Sequence, residues 1–226
     1  MSDSSATPGA TLCRRVGRSL AARVRVGEAC PTVAPGCVDI ASRPNRYYGR
    51  VSDGQSALTS SPPIVTTTRS PGETVELGRR LGPLLGRGVL VSLEGGLGAG
   101  KTQLCKGLIA GAAGIDSDLV SSPAYTLVNH YPLNGGGHIV HIDFYRIDNL
   151  SVEDELLFDE ALVDATAALI EWGDKFISLL AGSYLRVRME LASTPPDLCT
   201  LILDVVGGGA NEHVVLDGWR ALCELS

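Results

Sequence analysis

Hydrophobic positions along this chain fall into short dense blocks, and the sustained blocks begin only after residue 69. Ser70-Pro71-Gly72-Glu73 puts a hydroxyl at an N-cap, proline at the first helical position and a carboxylate three residues beyond the cap. Leu77, Leu81 and Leu84 or Leu85 then supply one apolar helical face, which Gly86 or Gly88 ends. Val89-Leu90-Val91-Ser92-Leu93 is short, apolar and β-branched, and predicts a buried strand. Lys101–Ala113 predicts a helix with Leu104, Leu108, Ile109 and Ala112 inward and Gly114 as its C-cap. Further strands are expected at 125–130, 138–142, 167–170, 185–191 and 201–206, and helices at 153–162 and 214–225. The last two strands, joined through Ser193-Thr194-Pro195-Pro196, read as an antiparallel hairpin. Strand, glycine-rich loop, helix and further strands predict an α/β fold. The class expected from this order is an α/β sandwich with a mixed sheet.

Residues 1–69 differ in kind. They hold nine arginines, no lysine and four acids, a net charge of +5, whereas residues 70–226 carry −11. The chain therefore divides into an N-terminal extension over 1–69, expected to be disordered, and a folded domain over 70–226. Between Arg14 and Arg25 the extension has the composition of a basic amphipathic helix, as organelle transit segments do. The expected location is cytoplasmic, or mitochondrial or plastid where the extension acts as a transit segment. No apolar core follows the basic residues, which disfavours a secretory signal. No run reaches membrane-spanning length, so no membrane partner is expected. Six cysteines at 13, 30, 37, 105, 199 and 223 form no C-x-x-C pair and have no histidine at zinc-ligand spacing. Free thiols are the expectation.

The chemistry lies in Gly95-Gly96-Leu97-Gly98-Ala99-Gly100-Lys101-Thr102, which satisfies G-x-x-x-x-G-K-[ST] between a predicted strand and a predicted helix. The glycines let backbone N–H groups converge on an anion. Lys101 reaches the outer phosphates, the following helix adds its positive end, and Thr102 offers a hydroxyl to magnesium. An acid at a strand end is also needed beside the ion. Two apolar strands end in one, at Asp143 and at Glu171, and the residues alone do not rank them.

The loop, Val120-Ser121-Ser122-Pro123-Ala124-Tyr125-Thr126-Leu127, His141-Ile142-Asp143-Phe144-Tyr145-Arg146, Ile170-Glu171-Trp172 and the opening Glu73-Thr74-x-x-Leu77-Gly78 together resemble the TsaE family over about residues 70–190. That family is the bacterial and organellar ATPase required for threonylcarbamoyladenosine modification of tRNA. The resemblance implies that residues 70–226 are a P-loop ATPase domain, α/β in class: a P-loop NTPase-like three-layer sandwich with a mixed, largely parallel central sheet and a C-terminal hairpin. It implies ATP and Mg2+ as cofactors. It also implies two partner proteins, the threonylcarbamoyl transferase subunit and its inactive-homologue companion, which the ATPase resets between rounds. It implies Thr102 and Glu171 as magnesium ligands and Asp143 as a water- or metal-orienting acid, with Lys101, Asp143 and Glu171 as the catalytic set. The nucleotide is then held by Gly95, Gly96, Leu97, Gly98, Ala99, Gly100, Lys101, Thr102, Gln103 and Thr74, the last at the base. The Ser122-Pro123 segment resembles a switch loop near the terminal phosphate.

The chain departs from the family pattern at four places. Gly96 stands where an acid is usual, Ala124 where a hydroxyl is, Gln103 where a second threonine is, and Gly173 where proline follows the tryptophan. Binding with slow turnover is the expectation. A small-molecule kinase is disfavoured because only Arg146, Arg186, Arg188 and Arg220 follow Lys101, too few for a phosphate-screening lid. A GTPase lacks its Asn-Lys-x-Asp tetrad here. A nucleotide-binding assembly subunit with little hydrolysis stays open. A charge of −11 on the domain predicts that tRNA is engaged indirectly, through the partners.

Overall fold

In the computed structural model the described residues are 10–13 and 22–25 (backbone only), 61–177, 181–193 and 198–224. The chain divides into two units, Met1–Pro44 and Asn45–Ser226. In the first, β1 (Ala10–Cys13) pairs antiparallel with β2 (Ala22–Arg25). Ala22–Arg25 is thus extended where the sequence suggests the end of a basic helix. The rest of that suggested helix, and most of the expected disordered or transit extension, lies outside the described residues.

The second unit is built on seven strands in the order β3-β9-β8-β4-β7-β6-β5. They are β3 (Ile64–Thr68), β4 (Val89–Glu94), β5 (Val128–Pro132), β6 (His138–Asp143), β7 (Ala167–Glu171), β8 (Tyr184–Leu191) and β9 (Cys199–Val206). The centre β8-β4-β7-β6 is parallel, and β3, β9 and β5 join antiparallel. Helices α1 (Pro71–Leu81), α2 (Lys101–Ala113) and α4 (Ala210–Glu224) share an apolar core with one sheet face. Helix α3 (Val152–Leu162) packs through Phe158, Ala161 and Leu162 against the other. The expected three-layer sandwich and its C-terminal hairpin are present. The hairpin's Thr194-Pro195-Pro196 turn lies outside the described residues.

Three of the boundaries that move have a plain physical reason. The sheet begins at Ile64, inside the stretch assigned to the extension. Ile64–Thr68 is five consecutive β-branched residues and alternates buried and open positions as an edge strand does. Helix α1 stops at Leu81 and tightens into a 3-10 turn at Gly82–Leu84, because Pro83 has no N–H to continue the ladder. The strand expected at 125–130 starts instead at Val128, since Leu127 has φ +65°, which no strand accommodates.

The contact between α1 and α2 fixes where the glycine-rich loop ends. A Cβ on Gly78 would sit 2.6 Å from the Leu104 carbonyl oxygen, and one on Gly107 would overlap the Val75 carbonyl. Gly82 and Gly111 meet the facing backbone just as closely, at Leu108 and Arg79. Each helix therefore offers a pair of glycines four apart, and the backbones touch. Ser70 caps α1 through the Glu73 N–H, worth about 1 kcal/mol. Trp219 of α4 is fully buried and donates its indole N–H to the Leu81 carbonyl at 3.0 Å. The first turn of α1 is held at the mouth of the loop.

Candidate nucleotide and cation site

Alternation along the parallel strands decides which residues meet. His141 and Asp143 on β6 are in register with Leu169 and Glu171 on β7, so all four face α2. The loop leaves β4 between β8 and β7, where ligands of open parallel sheets bind beyond the carboxyl ends of the strands. Asp143, Glu171 and the loop therefore share one edge.

Gly95 has φ +145°, and a Cβ there would overlap the Met189 carbonyl of β8. Gly100, at φ +96°, is the left-handed N-cap of α2. Both positions require glycine. Gly96 is different: nothing lies within 4 Å of a Cβ placed there and its φ is not positive. The absence of the usual acid at Gly96 is thus not forced by the backbone.

Lys101 is 4% exposed and its Nζ donates to the Gly95 and Gly96 carbonyls at 2.7 and 2.8 Å. Burial pulls its pKa below the usual lysine value, against the opposing pull of the Glu171 and Asp143 carboxylates. The ammonium also lies 3.8 Å from the centroid of the Trp172 ring, a cation–π contact. Trp172 holds a left-handed backbone (φ 58°, ψ 36°), rare for a bulky residue. The Tyr145 ring lies tilted beside that of Trp172, centroids 5.3 Å apart, and Arg146 lies 4.0 Å over the Tyr125 ring. Tyr145 thus contacts the Trp172 ring, and Arg146 is turned to Tyr125.

Thr102 Oγ1 donates to Glu171 Oε2 at 2.8 Å, and His141 Nε2 lies 2.9 Å from Glu171 Oε1. Asp143 Oδ1 accepts the Tyr145 N–H at 2.8 Å, and its Oδ2 accepts the Ser122 hydroxyl at 3.2 Å. Burial raises the Asp143 pKa above the ordinary carboxylate value, with the Tyr145 N–H opposing. The Ser122 hydroxyl in turn accepts the Ala124 N–H at 3.3 Å, which ties the expected switch segment to Asp143.

These groups border a cavity of about 420 Å³, within the range of small-ligand pockets. Thr74, Leu97, Gly98, Ala99, Gly100, Lys101, Thr102, Gln103, Asp143 and Glu171 all line it, as do Ser122 and Trp172. Gly95 and Gly96 lie outside the lining and act through their carbonyls on Lys101. Thr74 Oγ1 is shared with Thr68 Oγ1 at 2.8 Å and the Ser70 carbonyl at 3.2 Å. Thr68, the hydroxyl behind Thr74, went unassigned in the sequence because it lies in the edge strand. The oxygen-only set Thr102, Glu171 and Asp143 fits a hard divalent cation.

Comparisons with known proteins bear on the family and the fold. The family model described as "Threonylcarbamoyl adenosine biosynthesis protein TsaE" matches residues 68–195. The tRNA threonylcarbamoyladenosine biosynthesis protein TsaE of Streptomyces coelicolor is 40% identical over 119 residues, covering 52% of this chain and 78% of that protein. The protein of the same name from Treponema pallidum is 35% identical over 148 residues, covering 66% and 96%. The crystal structure of Bacillus subtilus YdiB superposes with a TM-score of 0.55 at 24% identity, covering 71% of this chain and 95% of that one, a likeness of fold.

Proposed function

The chain belongs to the TsaE family, and on that premise we propose that it binds ATP with magnesium at the 95–102 loop and hydrolyses it slowly. In this reading it is an accessory ATPase of threonylcarbamoyladenosine formation on tRNA. It resets the threonylcarbamoyl transferase subunit together with that subunit's inactive-homologue companion. The observation that carries the proposal is the convergence of Lys101, Thr102, Asp143 and Glu171 on one cavity at the carboxyl edge of the parallel strands.

Each side chain has a part that follows from its contacts. Lys101 exchanges the Gly95 and Gly96 carbonyls for phosphate oxygens, so binding begins by opening two existing hydrogen bonds. Thr102 and Glu171 supply the oxygens that hold magnesium, with Asp143 orienting water from the neighbouring strand. Magnesium, when bound, neutralises charge on the outer phosphates. Thr74 stands at the wall where the base would lie. The partners hold the tRNA, in keeping with the −11 charge of residues 70–226.

A kinase reading has little support, since no arginine borders the cavity among the described residues. A second reading, a subunit that binds nucleotide with little hydrolysis, is favoured by Ala124 beside Ser122, where the family's hydroxyl is missing. One experiment separates the two: phosphate release by the chain alone and with both partners present. Acceleration by the partners supports the accessory ATPase. Tight ATP binding with no turnover in either condition supports the second reading.

A further inference from the structure

Behind the Thr102–Glu171 contact stands a histidine turned entirely to that carboxylate. His141 is fully buried, and its Nε2 lies 2.9 Å from Glu171 Oε1. Its Nδ1 is also buried and has no hydrogen-bond partner among the described residues. A buried N–H left without a partner is rarer in proteins than an under-used acceptor. The imidazole proton therefore sits on Nε2 and is donated to Glu171. The carboxylate is thus held from two sides, Oε1 by His141 and Oε2 by Thr102.

The surroundings give His141 no other task. Ile139 and Leu169 beside it on the sheet, and Leu104 on α2, belong to the apolar core. Cys105 closes the remaining side: its Sγ, a His141 nitrogen and a Glu171 oxygen all lie within 4.8 Å of one another, and all three residues are buried. Burial pushes the Cys105 thiol well above its usual pKa. A leucine at 141 would suit this layer better if packing were its only role. Without the imidazole, Glu171 Oε1 would be a buried acceptor lacking a donor, and the carboxylate would be free to turn.

We propose that His141 is a positioning residue, whose Nε2–H fixes the Glu171 carboxylate with Oε2 toward Thr102 and so sets the affinity for the divalent cation without touching nucleotide. This rests on the reading of Glu171 as a cation ligand. It follows the general behaviour of outer-shell partners, whose removal typically weakens metal affinity by about 10- to 100-fold.

Two substitutions divide donation from packing. His141→Gln places an amide N–H near the Nε2 position, whereas His141→Asn places it near Nδ1, out of reach of Glu171. ATP affinity is measured on the full chain by calorimetry, first in EDTA and then across a magnesium titration. The expected result is equal affinity in EDTA for wild type and both variants. The half-saturating magnesium concentration then rises about tenfold or more in His141→Asn and stays within about threefold of wild type in His141→Gln. An unchanged magnesium requirement in a folded His141→Asn overturns the proposal. So does a folded His141→Gln whose magnesium requirement rises about tenfold or more above wild type, an arm that stays decisive even if the Asn variant does not fold. Zinc retained stoichiometrically by the purified chain and lost from both variants also overturns it, by making Cys105, His141 and Glu171 a metal site. If magnesium has no effect on wild-type ATP affinity, the underlying reading of Glu171 fails first and the proposal falls with it.

Discussion

Thr102 and Glu171 stand 69 positions apart in the chain, yet the Thr102 hydroxyl donates to Glu171 Oε2 across 2.8 Å. The pair joins the first turn of α2 to the end of β7 and brings two hard oxygens together at the edge of the cavity.

Glu171→Gln keeps an oxygen for Thr102 but removes the charge that would face the cation. Phosphate release with the partners present is expected to fall roughly a hundredfold, in line with the loss of one electrostatic group at a reacting centre. ATP affinity in EDTA is expected to stay at the wild-type value. A phosphate-release assay paired with calorimetry reads both.

Gly107→Ala drives a methyl into the Val75 carbonyl at the α1–α2 contact, where neither backbone has room to yield. Denaturant unfolding should show a loss of about 2–3 kcal/mol. Gly96→Ala, with open space around its Cβ, should stay within about 0.5 kcal/mol of wild type. A similar loss at both positions would contradict the account of the glycines.

Glu94 ends β4, and burial lifts its pKa above the ordinary carboxylate value, against the Ser92 hydroxyl and Arg186. The folded protein then holds this proton more tightly than the unfolded chain does. The destabilising effect of ionised Glu94 is therefore absent below the ordinary carboxylate pKa and complete above the raised one. Glu94→Gln, which can still accept from Ser92, should melt above wild type near about pH 7.5. The difference should close as the pH falls into the carboxylate range, and thermal melts across that range test it.

The two tryptophans report on different places. Trp172 lies over the Lys101 ammonium, and Trp219 is sealed in the core on the Leu81 carbonyl. Nucleotide that draws Lys101 from its loop carbonyls should change the emission of Trp172 and leave that of Trp219 constant. The change is expected to survive Trp219→Phe and to vanish in Trp172→Phe. The reverse pattern would contradict the Lys101 movement.

Much of the fold was legible because local patterns carried it. Lys101–Ala113 and its Gly114 cap are found where helical periodicity and a terminal glycine placed them. Ile64–Thr68 was not read, although all five residues are β-branched, because a Ser-, Thr- and Pro-rich neighbourhood masked an edge strand that only β9 defines. The glycines at the α1–α2 contact were given no role, since their purpose lies in a facing backbone. At the site, the loop motif announced Lys101 and Thr102 by spacing. His141 was quoted within its motif with no role, since its role depends on the β6–β7 register that puts it beneath Glu171. Trp172 was likewise quoted within its motif with no role, and its contact with Lys101 appears only once β7 lies beside β4.

The account stands most directly on calorimetric titration of the chain and of Lys101→Ala with ATP, each with and without magnesium. It predicts saturable wild-type binding, strengthened by magnesium, and no measurable binding once the ammonium is removed. Equal ATP affinity in the two proteins would contradict it.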